Sequence, residues 1–137
     1  MTNTAFTQPM KVLFRHCDPA GVVFYPRYFE IINDMVEAFF DHVGFPFEDI
    51  LKDGGVPTVQ VETTFQAPSR HGDHLTLSLE LTRVGTASLG VSVIAEGRDA
   101  HRFSANLTLV HIDAAHRPKP WSDPMRQAFS PYLRSKQ

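Results

Sequence analysis

The residues best suited to chemistry form a polar turn, His16-Cys17-Asp18-Pro19-Ala20-Gly21, just ahead of a long apolar segment. That segment predicts a helix, so the carboxylate of Asp18 should lie close to a helix N-terminus. Helix N-termini present unpaired N–H groups and partial positive charge, which can stabilise an oxyanion developing on an attacked carbonyl. Because Pro26 has no N–H, the donor nearest the helix start should come from Tyr25 or Phe24. A structural interpretation also stands, since Asp before Pro often caps a turn.

The helix is predicted from apolar residues at the i, i+3, i+4, i+7 spacing. They are Tyr28, Ile31, Ile32, Met35, Val36, Phe39, Phe40 and Val43. Pro26 suits the first helical position, because the N–H that it lacks would have no partner there. Gly44 is a natural stop for the helix. Asp34 and Glu37 lie on a polar stripe, so the opposite side of the helix should pack on the rest of the domain.

Apolar and polar residues alternate in further segments, which predicts strands. The first strand runs from Met10 to about His16, and four more follow the helix at 59–65, 75–81, 89–95 and 103–109. Their short connections imply antiparallel neighbours, and the order is that of an α+β domain with one helix on one face of a sheet. A cystatin-like fold would show a similar order, so the pattern fixes the class and leaves the family open.

Length and composition restrict the function further. A chain of 137 residues is expected to form a single domain, 1–137, and its formal charge of -2 argues against a nucleic-acid partner. Cys17 is the only cysteine, which excludes an internal disulfide and a cysteine-based zinc site; the scattered histidines lack a helical i, i+4 pair. No metal or cofactor is therefore expected. No apolar stretch approaches the ~20 residues that span a bilayer, and no signal-peptide pattern begins the sequence, which predicts a cytoplasmic protein without a membrane partner.

The polar turn and the helix start together resemble the signature of a known protein family. Residues 16–28 resemble the signature of the 4-hydroxybenzoyl-CoA thioesterase family, in which an Asp-Pro-Ala-Gly or Asp-Ala-Ala-Gly turn precedes a Tyr or Phe and the central helix. The likeness extends to Gly55-Val56-Pro57, Phe65, Gly72-Asp73 and Pro118-Lys119-Pro120. The match to the signature is ungapped and correctly placed before a helix, so it favours a catalytic Asp18 over a turn cap.

This resemblance implies a hotdog fold, in which a sheet of about five strands wraps around one long central helix. It implies hydrolysis of an acyl-CoA by a homodimer or homotetramer without a cofactor, with an aromatic acyl group such as 4-hydroxybenzoyl among the candidates. Asp18 would act as nucleophile or as general base on water, and the backbone N–H of Tyr25 would be the oxyanion donor. Gly21, Phe24 and Tyr28 are the expected substrate-binding residues, although helix-borne aromatics at this spacing also serve as core.

Two departures from the family pattern affect the site. Many members carry an acidic residue where this chain has His16, so the surroundings of Asp18 are expected to differ. Some members place basic residues for the CoA phosphates near the turn at 85–88, and this chain has none between these positions. Other arginines are candidates for that contact, with a surface role as the default. They are Arg70, Arg83, Arg98, Arg102 and Arg117.

Other interpretations remain open. Cys17 could be a nucleophile, but alternation along an extended segment points it away from its neighbours, and no partner His stands at a defined spacing. Asp34 or Glu37 could act as a helix carboxylate, although solvated or interface roles fit them better. Among enzymes, a thioesterase for acyl groups on a carrier protein is an alternative. Outside enzymes, the alternative is a non-catalytic acyl-CoA-binding or cystatin-like interaction module.

Overall fold

The computed structural model of the chain describes residues 4–134. The strands are β1 (Phe6–Lys11), β2 (Gly54–Gly55), β3 (Thr58–Phe65), β4 (His74–Val84), β5 (Ser88–Glu96), β6 (His101–Val110) and β7 (Ile112–Asp113), and the helices are α1 (Pro26–His42), α2 (Phe47–Ile50) and α3 (Asp123–Phe129). An antiparallel sheet of five strands has the order β1-β4-β5-β6-β3, and β2 pairs separately with β7. The predicted α+β class is confirmed. Within residues 4–134, no helix is long and apolar enough to cross a membrane.

Helix α1 begins and ends where the sequence predicts. Pro26 is its first residue, and Gly44 follows its last turn with a φ of 95°, a left-handed conformation that favours glycine. The Gly44 N–H donates to the Asp41 carbonyl at 3.2 Å and the Phe45 N–H to the Phe40 carbonyl at 2.9 Å, which satisfies the last carbonyls of the helix. With 17 residues the helix is only about 25 Å in length, so the expectation of a long central helix is not confirmed.

The apolar face of α1 packs against one face of the sheet. The helix buries Tyr28, Ile31, Ile32, Met35, Val36, Phe39 and Phe40. The three middle strands contribute Leu75, Leu77, Leu79, Leu81, Leu89, Val91, Val93, Ala95, Phe103, Ala105, Leu107 and Leu109 to the same core. Strand register aligns these side chains in rows across the sheet, as with Leu81, Val91 and Leu107. The predicted alternation of β4, β5 and β6 is therefore confirmed.

Strand β1 differs from its prediction. The predicted strand runs from Met10 to about His16, whereas β1 runs from Phe6 to Lys11. The Leu13 N–H donates to Nδ1 of His16 at 2.9 Å within a 3-10 turn, so a side-chain contact ends the strand early. Simple alternation does not show such a contact. As a result, Phe14 lies in solvent instead of facing the core.

Strand β3 is an edge strand with an uncovered apolar side. Among the strands of the described chain it pairs only with β6. Val61 stands opposite the buried Leu107 in the register, yet Val61 is 43% exposed, and Val59 and Phe65 are exposed as well. The predicted face of the strand is right, but the protein's own helix does not cover it.

The C-terminal segment packs against the core residues near the C-terminal end of α1. Helix α3 begins at Ser122, whose hydroxyl accepts the Met125 N–H at 3.3 Å, and it places Phe129 in the core. We call the aromatic group beneath it the closed cluster. Its members are Phe39, Phe40, His111, Trp121 and Phe129. The His111 ring stacks on the Trp121 ring with centroids 4.6 Å apart, and both residues are buried.

Candidate active site

The polar turn folds into a tight hairpin that presents Asp18. Cys17 pairs with Val23 in an antiparallel bridge, and the Asp18 N–H donates to the Val22 carbonyl at 3.0 Å. Gly21 closes the turn with a φ of 81°, and its N–H donates to the Asp18 carbonyl at 2.9 Å. Any other residue at position 21 would be strained in that left-handed conformation. Gly21, predicted to bind substrate, thus sets the backbone shape of the hairpin.

The carboxylate of Asp18 has one oxygen engaged and one free. Oδ1 accepts a hydrogen bond from the Ala20 N–H at 2.9 Å, which forms an Asx turn. No hydrogen bond within residues 4–134 engages Oδ2, and the residue is half-buried. Oδ1 therefore caps the turn, as the structural interpretation predicts, whereas Oδ2 remains free for a reacting group.

The loop between β3 and β4 holds this hairpin in place. The Val23 N–H donates to the carbonyl of the buried Ser69 at 2.8 Å, and Val22 forms an antiparallel bridge with Arg70. The position of Asp18 relative to the sheet consequently depends on how rigidly this loop is fixed.

Arg102 fixes the loop, and the sequence did not predict this role. Its buried guanidinium donates to the Pro68 carbonyl and pairs with Asp73 at 3.3 Å and with Asp99. Gly97 makes room for it, since a Cβ there would lie 2.4 Å from Nε of Arg102. The proposed surface contact of Arg102 with CoA phosphates is replaced by a buried ion pair. No local pattern could show it, because Pro68 and Asp73 lie 34 and 29 residues away along the chain.

The start of α1 offers one free backbone donor. The Phe24 N–H donates to the His16 carbonyl at 3.0 Å, and Pro26 has no N–H. The Tyr25 N–H has no acceptor within residues 4–134. Of the two donors that the sequence proposes, only that of Tyr25 is therefore available. The bond from Phe24 to His16 also ties the helix start to the 3-10 turn that leads into Asp18.

The neighbours of Asp18 in the hairpin are occupied elsewhere. His16 is buried with its Nδ1 accepting the Leu13 N–H, and burial lowers the pKa of its imidazole, with Arg15 lowering it further. The Cys17 thiol points to the Leu13 carbonyl, 3.6 Å from its oxygen. Neither side chain is hydrogen-bonded to Asp18, so the hairpin offers that carboxylate no His or Cys partner within the described chain.

Aromatic rings surround the start of α1, and we call them the open cluster. Its members are Phe24, Tyr25, Tyr28, Phe29 and Phe65. Phe24 and Tyr25 are 49% and 60% exposed, whereas Tyr28 is buried between Phe65 and Phe103. The Tyr28 hydroxyl is buried and lacks a hydrogen-bond partner within residues 4–134. Of the predicted substrate-binding aromatics, Phe24 therefore faces outward and Tyr28 packs as core.

The remaining candidates lie outside the hairpin. Asp34 and Glu37 are exposed on α1, and Asp34 lines a cavity of about 320 Å³ together with His16 and apolar residues of β1 and α1. Arg70 and Arg98 line a second cavity, of about 470 Å³. Residues 4–134 contain no group of three or more His, Cys, Asp or Glu side chains that could hold a metal ion.

Several solved structures share this fold. The chain is similar to a 1,4-dihydroxy-2-naphthoyl-CoA thioesterase from Synechocystis, with a TM-score of 0.86, 20% identity, and coverage of 93% of this chain and 96% of that one. A gentisyl-coenzyme A thioesterase gives a TM-score of 0.82 at 23% identity, over 90% of this chain and 99% of that one. A hypothetical protein from Staphylococcus aureus in complex with CoA gives 0.90 at 16% identity, over 100% and 90%. At such identities the likeness shows the fold, a hotdog-type sheet with a helix packed against it.

Sequence comparison gives the family. No curated protein matches the chain significantly. The profile of the Thioesterase-like superfamily matches residues 12–129, which include the hairpin, α1 and all but one strand of the main sheet. The chain therefore belongs to the Thioesterase-like superfamily.

Proposed function

We propose that this protein hydrolyses an acyl-CoA thioester, in the manner of the 4-hydroxybenzoyl-CoA thioesterase family. The observation that carries the proposal is the free Tyr25 N–H at the start of α1, tied through the Phe24–His16 hydrogen bond to the hairpin that presents Oδ2 of Asp18. Membership of the Thioesterase-like superfamily supports the reaction class. The two free groups are of the kinds that a thioester carbonyl needs: a hydrogen-bond donor and a carboxylate.

In the proposed reaction, the thioester carbonyl oxygen accepts a hydrogen bond from the Tyr25 N–H, and Asp18 promotes attack on the carbonyl carbon. Asp18 either attacks it, giving an acyl-aspartyl anhydride that water then hydrolyses, or removes a proton from an attacking water. The C–S bond breaks in either case, and the CoA thiolate leaves without much need for a general acid. Negative charge that develops on the oxygen meets a donor already fixed in place, which is the main source of rate enhancement at such sites.

We further propose that the acyl group is aromatic. The exposed rings of Phe24 and Tyr25 flank the free N–H, and a flat acyl group can stack on such rings at centroid distances of 4.5–7 Å. The buried, unpaired hydroxyl of Tyr28 could bond a polar substituent of the acyl ring. The dihydroxynaphthoyl-CoA and gentisyl-coenzyme A thioesterases of the same fold are named for aromatic acyl groups, which agrees with this substrate class.

The active unit is proposed to be a homodimer that pairs the β3 edges of two copies, with a homotetramer as a further step. An unpaired edge strand with exposed Val59, Val61 and Phe65 is a surface on which a second copy can continue the sheet. Such pairing would engage the outer backbone groups of β3 and bring the second copy beside the open cluster. The substrate would then bind between the two subunits.

The central test is Asp18→Asn. The amide oxygen of Asn can still accept the Ala20 N–H, so the Asx turn and the fold are retained while the negative charge is lost. We expect kcat to fall on the order of 10²-fold or more with little change in KM, because either mechanism uses that charge. The matched control is Glu37→Gln on α1, which removes an exposed carboxylate and should leave kcat within a few-fold. A folded Asp18→Asn protein with nearly parental turnover would exclude Asp18 as the catalyst.

The oxyanion role of Tyr25 is tested by removing its N–H. The φ of Tyr25 is -53°, within the range that proline adopts, and its N–H has no acceptor to lose. We expect Tyr25→Pro to lower kcat by about 10²-fold, the cost of one lost oxyanion donor, whereas Tyr25→Ala keeps the N–H and should cost much less. Equal activities of the two variants would contradict the assignment.

A panel of substrates separates the proposed reaction from its alternatives. Release of thiol from aromatic and aliphatic acyl-CoA substrates should be fastest with an aromatic acyl group. Faster hydrolysis of the same acyl group on a carrier protein would favour a carrier-protein thioesterase. Tight binding of acyl-CoA without any thiol release would instead identify a non-catalytic binding module.

A further inference from the structure

A polar cavity adjoins the hairpin, and the proposed chemistry leaves it unused. It has a volume of about 470 Å³ and lies between the loop that anchors the hairpin and the turn that joins β5 to β6. Arg70 and His74 line it from the first side and Arg98 from the second. Arg102 lies at its base with Asp73 and Asp99.

The lining of this cavity carries more positive than negative charge. Asp73 and Asp99 both pair with the buried Arg102, whose single positive charge offsets one of the two carboxylates. Arg70 and Arg98 have no carboxylate partner within residues 4–134. Three arginines therefore face two aspartates in the lining, which leaves an excess of positive charge even before His74 is counted. Such a cavity favours an anion, and a guanidinium matches the oxygens of a phosphate group in geometry.

The cavity is coupled to the hairpin through the backbone. Arg70 forms an antiparallel bridge with Val22, and the neighbouring Ser69 carbonyl accepts the Val23 N–H. Arg102 holds the same loop through Pro68 and Asp73. An anion bound by Arg70 would consequently keep a fixed position relative to Asp18, although it does not touch the reacting atoms.

We propose that this cavity binds the phosphates of the CoA nucleotide, with Arg70 and Arg98 as the residues that contact them. This inference depends on the proposed function for the choice of ligand. In CoA the pantetheine arm separates the thioester from the phosphates, so a phosphate site must lie away from Asp18 and yet on elements joined to its hairpin. The cavity meets both conditions: none of its lining residues belongs to the hairpin at 17–23, and the loop that carries Arg70 contacts the hairpin at Val22.

The test compares substrates with and without the nucleotide. In the double variant Arg70→Gln, Arg98→Gln, KM for an acyl-CoA should rise at least about 10-fold, since each charged hydrogen bond to phosphate is lost, while kcat changes little. The same acyl group on N-acetylcysteamine has no phosphates, so its KM should not change. Arg134→Gln is the control for each single substitution: it removes one guanidinium from an exposed pair with Glu80 outside the cavity and should behave as the parent.

A binding measurement makes the result independent of catalysis. By calorimetry, adenosine 3′,5′-bisphosphate should bind the parent and bind the double variant at least about 10-fold more weakly. If the parent hydrolyses no acyl-CoA but this loss of binding is observed, the cavity assignment stands and the proposed function fails. The assignment would be overturned by an unchanged KM for acyl-CoA in an active double variant, or if the nucleotide did not bind the parent. It would also be overturned if inorganic phosphate competed with acyl-CoA as effectively as adenosine 3′,5′-bisphosphate does.

Discussion

The closed and open clusters have similar aromatic content and differ in what covers them. In the closed cluster, Trp121 and Phe129 are 3% and 0% exposed because α3 packs its own Phe129 against Trp121 and the aromatic rings of α1. In the open cluster, no element of the described chain covers Phe24 and Tyr25 in this way. Rings lie edge to face in both clusters, as in the pairs Trp121–Phe129 and Tyr25–Phe65. The two clusters thus share edge-to-face ring packing and differ in whether the described chain covers them.

This difference separates stability from function. Apolar surface that the chain buries itself contributes to the free energy of unfolding, whereas apolar surface left exposed is a binding surface for a ligand or partner. The free Tyr25 N–H and the hairpin that carries Asp18 both adjoin the open cluster. We expect changes in the closed cluster to weaken folding, and changes beside the open cluster to affect assembly or turnover.

The largest effect on stability is expected from Phe129→Ala. Phe129 is fully buried and contacts the rings of Phe39, Phe40 and Trp121, so its removal leaves a cavity. Urea unfolding should show a loss of about 3 to 5 kcal/mol. Phe24→Ala, in the open cluster, should cost less than about 1 kcal/mol because that ring is half in solvent. Similar losses in the two variants would mean that the clusters do not differ as described.

The next effect concerns assembly through β3. Val61→Lys places a charge on the exposed side of this edge strand, and two copies would bring like charges together across the two-fold axis. We expect the dissociation constant of the homodimer to rise by about 10²-fold, measured by light scattering across a concentration series. Thr7→Lys makes the matched change on β1, the other edge of the sheet, and should leave the dimer intact. A parent protein that is monomeric at micromolar concentration would exclude the dimer altogether.

Elements with long, regular patterns were predictable from the sequence. Helix α1 has an uninterrupted apolar stripe between Pro26 and Gly44, and β4, β5 and β6 each bury four apolar residues at alternate positions. The end of β1 was not predictable, because it depends on a bond from the Leu13 N–H to the His16 ring. Alternation also could not show that β3 is uncovered, since coverage depends on which element packs over a strand.

The candidate site divides in the same way. Asp18 and Tyr25 were predictable because the turn, the missing N–H of Pro26 and the helix start lie within a few residues of one another. Arg102 was not, because Pro68 and Asp73 come from a distant loop, and the ion pairs of its buried guanidinium with Asp73 and Asp99 exist only in the folded protein. Local sequence therefore indicates the reacting groups, and long-range contacts determine how they are held.

The closed cluster also predicts a pH dependence of stability. Burial lowers the pKa of His111 from its usual value of 6.5, so below that pH the unfolded chain takes up a proton that the folded protein resists. The free energy of unfolding should therefore fall as the pH drops below the unfolded-state value, down to the lowered pKa of the folded state. His111→Phe keeps a ring on Trp121 without a proton site, so its Tm should fall less than that of the parent between about pH 7.5 and pH 5.5. An identical loss of Tm in both proteins would count against the buried neutral His111.

The smallest effect is expected from Cys17→Ala, although Cys17 adjoins Asp18. Its thiol points to the Leu13 carbonyl and packs partly against the core, and the hydrogen bonds that shape the hairpin come from backbone atoms and from Asp18. Removing the sulfur should leave all of them in place, so kcat and KM should stay within a few-fold of the parental values. Thiol-alkylating reagents could still inhibit the parent by adding bulk beside Asp18, which makes their action on the Cys17→Ala protein the informative measurement: no inhibition is expected there. A folded Cys17→Ala protein without activity would move the chemistry from the carboxylate to sulfur, and the function assigned to the hairpin would then rest on a different nucleophile.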